Sequence, residues 1–371
     1  MTKVVTFAAG GTAGHVEPAI AVAHELSAHG FKGNTEKLEC KFIGTKSGIE
    51  NQLVVAAGFP LHHISKVTLP RKISVSVLLW PFRWISVLSQ TFRLLRETDL
   101  LIGFGGYVSA PCYVVAKFLR IPIVVHEQNA KPGWANRLGA CFTSNTTITF
   151  ASARRTGKCW SQAQLVGLPL RDSILGLASS DAHERTRRRE LACKEFGLDP
   201  ALPVMLIFGG SLGAERINQS VAEALPTLLK CGVQIIHGVG RSNKLPISMP
   251  GYVPLPYLES MADAYAASDL ILARSGAATC VEIATVQNYA VLVPLAVGNG
   301  EQRANAQELV DEGAAELLDN SHLTGEWLTH NIGRLMLKAT QQRDNRQAKL
   351  QPNAAQLMAE LIRSLLVKSS R

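Results

Sequence analysis

The chain has 371 residues, of which 47% are hydrophobic and 18% charged. That balance excludes a largely disordered chain, and the length suffices for two or three domains with cores of their own. The formal net charge of +9 favours an anionic partner (nucleic acid, an acidic membrane face or a phosphorylated ligand) without choosing among them.

In chain order, Met1-Thr2-Lys3 leads straight into the apolar run 4–8. That run is too short for a secretory signal core and reads as a buried first strand. Further strands are predicted at 41–43, 100–103, 123–126 and 147–150. A second set follows at 204–208, 233–237, 270–273, 290–293 and 315–318. Helical periodicity separates them, starting near Pro18 after a first glycine loop and near Asn218 after a second. The alternation is α/β: two doubly wound, Rossmann-like domains with parallel sheets. Both halves open on strand, glycine loop, helix, as Phe7-Ala8-Ala9-Gly10-Gly11 and Ile207-Phe208-Gly209-Gly210-Ser211 show.

The predicted domains are 1–165, 166–345 and a C-terminal helical segment, 346–371. In that segment Leu357, Leu361, Leu365 and Met358, Ile362, Leu366 recur at helical spacing and demand a buried face, with the N-terminal domain as candidate partner. No apolar stretch reaches the ~18 residues that span a bilayer. The nearest, 73–88, holds Pro81 and Arg83, so a soluble or peripheral protein is expected. Seven scattered cysteines lack metal-ligand spacing, which points to a reducing compartment, small core residues and no metal site. The Arg-rich segment 181–195 reads as a solvated helix. Its Arg187-Arg188-Arg189 run is flanked by Glu184 and Glu190 and has no aromatic platform for nucleic acid.

Several loops are candidates for chemistry. Gly10-Gly11-Thr12-Ala13-Gly14-His15 follows the first strand, where glycines let a ligand approach the backbone and a helix N-terminus favours anions. Dinucleotide, phosphate and sugar-phosphate sites all use this pattern. The spacing is not G-x-G-x-x-G, and the second strand ends in Gly44-Thr45-Lys46 with no acidic residue for a ribose, which argues against NAD. His15 is either a packing residue or a proton acceptor for a hydroxyl. Gly103-Phe104-Gly105-Gly106-Tyr107-Val108-Ser109 forms a second loop, and His126-Glu127-Gln128-Asn129 ends another strand where open sheets bind ligands. In the second half, Gly209-Gly210-Ser211 repeats the phosphate logic. Glu282 follows the small-residue turn after Arg274, placed either for ribose hydroxyls or for a helix dipole. Glu301-Gln302 opens a further helix, its amide suited to sugar hydroxyls.

Taken in order, the segments beginning Gly10, Gly105, His126, Gly209 and Arg274 resemble the MurG family, the lipid-linked N-acetylglucosaminyltransferases of bacterial peptidoglycan synthesis. The resemblance runs from Val4 to about Gly313. It implies a GT-B architecture, two Rossmann-like domains facing across a cleft, with the donor held mostly by the second domain and the lipid acceptor by the first. It also implies an inverting transfer of GlcNAc from UDP-GlcNAc to the 4-hydroxyl of the muramoyl sugar on undecaprenyl diphosphate, lipid I to lipid II. That step serves cell-wall synthesis and, through it, cell shape and division.

By match to the family, His15 is the expected base. Thr12, Ala13, Gly14 and Asn129 border the donor sugar, Arg171 and Ser211 hold the diphosphate, and Leu258 reads uracil through its backbone. Ala277, Ala278, Thr279, Cys280, Val281 and Glu282 line the nucleotide, with Glu282 on the ribose, and Gln302 meets GlcNAc. Gly105, Gly106, Tyr107, His126 and Glu127 are expected on the acceptor side. No tightly bound cofactor or metal is expected, and a role for a divalent ion is left open. Ala13, Leu168 and Glu301 depart from the family pattern.

No Asp or Glu occurs between Glu50 and Glu97. Within that gap Leu78, Leu79, Trp80, Phe82 and Trp84 alternate with Lys66, Arg71, Lys72, Arg83 and Arg93, a composition suited either to an anionic membrane face or to a buried helix with a basic outer side. The resemblance favours the cytoplasmic face of the cell membrane and no nucleic-acid partner. The competing readings are another UDP-sugar enzyme of GT-B fold (a glycolipid glucosyltransferase or a 2-epimerase), a basic nucleic-acid-binding protein, and an NAD oxidoreductase.

Overall fold

A computed structural model of the chain describes residues 2–29, 37–67, 75–210, 213–295, 299–348 and 353–368, without the side chains of 75–79. The chain forms two compact units, Met1–Arg171 with Pro352–Arg371, and Asp172–Gln351.

The first unit runs β1 (Lys3–Ala8), α1 (Ala13–His29), β2 (Leu38–Gly44), α2 (Glu50–Ala56), β3 (Leu61–His63), α3 (Val75–Leu95), β4 (Leu100–Gly103) and α4 (Ser109–Phe118). It continues through β5 (Ile123–Glu127), α5 (Trp134–Ala140), β6 (Thr146–Ile148), two 3₁₀ turns (Ala151–Thr156 and Lys158–Trp160) and β7 (Gln164–Leu165). Among the described residues its seven strands are ordered β3-β2-β1-β4-β5-β6-β7, with every pairing parallel. The order reverses between β1 and β4, where open α/β sheets place ligands.

The second unit runs α6 (Asp172–Ala178), α7 (Ala182–Phe196), β8 (Val204–Phe208), α8 (Glu215–Lys230), β9 (Gln234–Gly238), β10 (Tyr252–Leu255), α9 (Met261–Ala267) and β11 (Leu270–Ala273). It ends with α10 (Ala277–Val286), β12 (Tyr289–Leu292), α11 (Glu301–Asp311), β13 (Ala315–Leu317) and α12 (Gly325–Asp344). Its parallel sheet is ordered β10-β9-β8-β11-β12-β13 and reverses between β8 and β11.

The central strands are apolar on both faces because helices cover both faces, so β4, β5, β8, β11 and β12 are buried throughout. A carboxylate fixes the base of each sheet. Asp99, just before β4, accepts from Val4 N–H at 2.8 Å and from Lys3 Nζ at 3.2 Å. Asp269, just before β11, accepts from Val204 N–H at 2.9 Å and pairs with Arg189 at 2.9 Å and Arg343 at 2.8 Å. Backbone bonds repeat the match: Asp99 N–H donates to Val4 O and Asp269 N–H to Val204 O, both at 2.9 Å.

The last helix, α13 (Ala354–Lys368), belongs to the first unit. Its Met358, Ile362 and Leu366 join one core cluster with Val16, Ala19, Ala23 and Leu26 of α1 and with β1 and β2. Arg363 donates to Glu25 O at 3.0 Å.

The structure corrects one expectation, the helix starts, and gives the partners of the Arg-rich helix. α1 and α8 start at Ala13 and Glu215, ahead of Pro18 and Asn218, so each glycine loop runs directly into its helix. Arg187 and Arg188 both bind Glu184, and Arg189 binds Asp269 and the carbonyls of Ala267, Pro200 and Leu202. The basic run is therefore spent on its own fold.

Candidate active site

In the first unit the loops after β1, β2, β4 and β5 meet at the C-terminal ends of their strands. Gly106 has φ +79°, and a methyl group there would lie 2.3 Å from Gly10 O, so the first two glycine loops pack backbone against backbone. Ser109 Oγ locks this contact, lying 2.8 Å from Ala8 O and 2.7 Å from Gly105 O while accepting from Gly105 N–H. Tyr107 packs over Gly11, its hydroxyl is 3.3 Å from Thr45 Oγ1, and Lys66 sits over its ring at 4.9 Å.

His15 lies in the first turn of α1, half-buried, with Nδ1 2.7 Å from Thr12 Oγ1. The protein mass around the ring removes water from it and pushes its pKa down to about 4. A methyl on Gly105 would lie 3.3 Å from His15 Cδ2 and 3.2 Å from Asn136 Nδ2, so His15 and Asn136 close on that loop.

His126 and Glu127 hold up the same floor. His126 is fully buried, with Nδ1 3.0 Å from Thr147 Oγ1 and Nε2 3.4 Å from Thr149 Oγ1, and burial pushes its pKa to about 3. Glu127 accepts from the N–H groups of Asn129 and Gly133 and from the amides of Asn129 and Asn136. Burial raises its pKa, and those four hydrogen bonds oppose the rise. Asn129 is thereby fixed by Glu127, and Asn136 is held in turn by the Tyr113 hydroxyl at 2.8 Å.

Sequence reasoning missed Glu50. This wholly buried side chain accepts from Gly11 N–H at 3.3 Å, Thr45 N–H at 2.8 Å and Thr45 Oγ1 at 3.1 Å. An anion on the first loop would have to compete with Glu50 for the Gly11 N–H. The first loop is thus a supported platform beside His15, unlike a phosphate cradle. A carboxylate six residues past β2 and two past Gly48 was the available signal.

In the second unit Gly213 has φ +76°, and a methyl there would lie 2.1 Å from Val239 O, so the loop after β8 packs against the end of β9. Ser211 lies outside the described residues. After β11, Gly276 in extended conformation starts α10. Ala277, Cys280 and Glu282 are buried, while Ala278, Thr279 and Val281 are half-buried. Glu282 accepts from the Tyr265 hydroxyl at 3.0 Å. Ser275 Oγ is buried with no hydrogen-bond partner among the described residues, a polar group left over beside this turn. Gln302 Oε1 accepts from Leu295 N–H at 2.9 Å and Glu301 from Asn299 N–H at 3.0 Å, so both brace the loop after β12. The Leu258 side chain is buried over Gly238. Arg171 ends the first unit's N-terminal segment, directly before the second unit in the chain. Among the described residues no group of three or more His, Cys, Asp or Glu is placed to hold a metal ion.

On α3, Trp80 and Trp84 stack with ring centroids 5.6 Å apart, and Phe82 is 70% exposed. Ile85 and Phe118 are also exposed, and with Leu88 and Phe92 they line an apolar groove of about 370 Å³ between α3 and α4. Arg71 and Lys72, and the side chains of Leu78 and Leu79, lie outside the description. No helix among the described residues is long and apolar enough to cross a membrane.

The family model for the glycosyltransferase family 28 N-terminal domain matches residues 5–148, and that for its C-terminal domain matches residues 204–362. The chain belongs to glycosyltransferase family 28. A Streptomyces avermitilis family member is 40% identical over 335 residues, 88% of each chain. One from Corynebacterium diphtheriae is 43% identical over 328 residues, 88% of this chain and 86% of its own. Both are named UDP-N-acetylglucosamine–N-acetylmuramyl-(pentapeptide) pyrophosphoryl-undecaprenol N-acetylglucosamine transferase. The crystal structure of Acinetobacter baumannii MurG matches with TM-score 0.71 at 29% identity, covering 98% of this chain and all of that one. The two Rossmann-like units are the GT-B architecture of this family of hexosyltransferases.

Proposed function

We propose that this family 28 enzyme transfers GlcNAc, with inversion, from UDP-GlcNAc to the 4-hydroxyl of the muramoyl sugar on undecaprenyl diphosphate, converting lipid I to lipid II. The observation that carries the reading is His15, a neutral imidazole beside two interlocked glycine loops at the β1/β4 reversal. Inverting displacement needs a base on the attacking hydroxyl and stabilisation of the departing UDP. In the tautomer the reading requires, His15 Nδ1–H donates to Thr12 Oγ1, 2.7 Å away, and Nε2 accepts the proton of the attacking hydroxyl. Glu50, Glu127 and Ser109 keep that platform rigid without touching substrate.

The second unit takes the donor. Glu282, fixed by Tyr265, receives the ribose hydroxyls, and the α10 N-terminus favours the diphosphate. Arg171, which directly precedes this unit in the chain, is assigned to the same charge by match to the family. Leu258 and the turn Ala277–Val281 line the nucleotide, and Gln302 meets the sugar. No cofactor is held between turnovers. Docking on the anionic inner leaflet falls to Phe82, Trp84, Ile85 and Phe118, whose exposed neighbours Arg83, Lys117 and Arg120 add roughly 1 kcal/mol each near such a surface.

The test is transfer of labelled GlcNAc onto a lipid I analogue, with UDP-glucose and UDP-galactose as competing donors. Transfer from UDP-GlcNAc alone is expected. The His15→Ala variant should lose roughly 10²–10⁴-fold in kcat with little change in donor KM. A fully active variant removes His15 as the base, and transfer only from another sugar overturns the reading.

A further inference from the structure

We propose that Cys141 and Cys159 form a thiol–disulfide site on the first unit. Their sulfur atoms lie 3.7 Å apart, and both side chains are exposed. Cys141 terminates α5, where its N–H bonds Leu138 O at 3.1 Å and its thiol faces Arg137 O at 3.3 Å. Cys159 lies in the 3₁₀ turn Lys158–Trp160, anchored by the buried Trp160 ring. The two sulfurs are therefore presented by separately fixed backbone segments. Sulfur contact needs only to shorten to the ~2.05 Å bond length of a disulfide.

The remaining described cysteines differ. Cys40, Cys112, Cys193 and Cys280 are buried, and Cys231 is exposed in the other unit. The contact with the Cys159 thiol holds the Cys141 pKa up, and the exposed Arg137, four residues before it, opposes that rise and favours the thiolate. The co-reactant is a low-molecular-weight disulfide. One protein thiolate attacks it, forming a mixed disulfide and expelling one small thiolate, which takes up the proton the protein thiol gave up. The second protein thiolate then attacks the protein sulfur of that adduct and expels the second small thiolate, which is likewise protonated. The protein loses two electrons and two protons, and the small disulfide becomes two thiols. The product ties the end of α5 to the 3₁₀ segment, and α5 is the helix whose Asn136 holds Glu127.

The full-length protein is titrated with oxidised glutathione until Cys231 carries a glutathione adduct, then digested without reduction. The expected result is a Cys141–Cys159 cross-linked peptide lacking two hydrogens and free of glutathione. Cys141→Ser and Cys159→Ser variants should each trap glutathione on the remaining cysteine. Separate glutathione adducts on Cys141 and Cys159, or unmodified thiols at both while Cys231 is fully modified, overturn the proposal. Neither variant touches the proposed catalytic residues, so transfer activity is read independently.

Discussion

The two units are alike at the base of their sheets and differ at the top. Asp99 and Asp269 perform the same task, joining the first strand of each unit to the strand across the reversal. At the C-terminal ends the first unit spends buried carboxylates, Glu50 and Glu127, on its own loops. Beside these loops each unit leaves a buried polar atom without a hydrogen-bond partner among the described residues, Gln128 Nε2 in the first and Ser275 Oγ in the second. A common scaffold thus carries interlocked loops braced by two buried carboxylates in one copy and, in the other, a small-residue helix start followed by a carboxylate held by a tyrosine hydroxyl.

The largest expected effect comes from breaking the first platform. Gly106→Ala puts a methyl into Gly10 O at a positive φ, and it should cost roughly 3 kcal/mol or more and lower Tm by roughly 6–12 °C, with transfer abolished. Calorimetry and activity check it; a wild-type melting profile would show that the two loops do not need their close contact. Next, Glu282→Ala should raise the UDP-GlcNAc KM roughly 10–100-fold, with a small change in kcat. An unchanged KM removes the ribose role.

Glu50→Gln sharpens the contrast. It should destabilise the first unit by about 1–3 kcal/mol while UDP affinity, measured by titration calorimetry, stays within about twofold. A large loss of UDP affinity would mean the first loop binds the donor phosphates after all.

Acid should act on both units through buried imidazoles. His126 and His237 have pKa values pushed to about 3 and about 4 by burial, while the unfolded chain protonates near 6.5. Below pH 6.5 the unfolded state binds protons that the folded state refuses, so stability falls as pH drops from 6.5 towards 4. The slope is at most about 1.4 kcal/mol per pH unit for each group, and denaturant midpoints across that window read it. For the same reason the acid limb of kcat/KM set by His15 should lie near pH 4 instead of 6.5. The smallest effect belongs to Phe82→Ser with Trp84→Ser, which should weaken binding to anionic vesicles several-fold and leave UDP affinity unchanged. Equal vesicle binding would discard the patch.

Apolar runs bounded by glycines made the central strands and the loops at their C-terminal ends legible from sequence, because strands buried on both faces write themselves as continuous hydrophobic stretches. The overlooked strands β3, β7 and β10 all lie at sheet edges. They are short, and β3 and β7 are mostly exposed, so they lack that signature. Among the proposed site residues, His15 and Glu282 stand out in the sequence because they sit at glycine or small-residue turns. Glu50 did not, because its role depends on two loops approaching each other from distant parts of the chain. His126 and Glu127 read as ligand contacts, yet their hydrogen bonds face inward, an orientation that a strand-end position does not specify. The paired aspartates were visible as Thr98-Asp99-Leu100 and Ser268-Asp269-Leu270, a repeat hidden by attention to glycine.

The α13 segment has a consequence for biosynthesis. Helix α13 is synthesised after the whole of the second unit, yet it shares a core with α1, which is synthesised before that unit. Until α13 emerges Val16, Ala19, Ala23 and Leu26 lack their final cover, so the first unit is completed only after the second has been made. A nascent chain stalled before residue 352 carries an exposed greasy stripe, the kind of surface that chaperones hold and proteases clear.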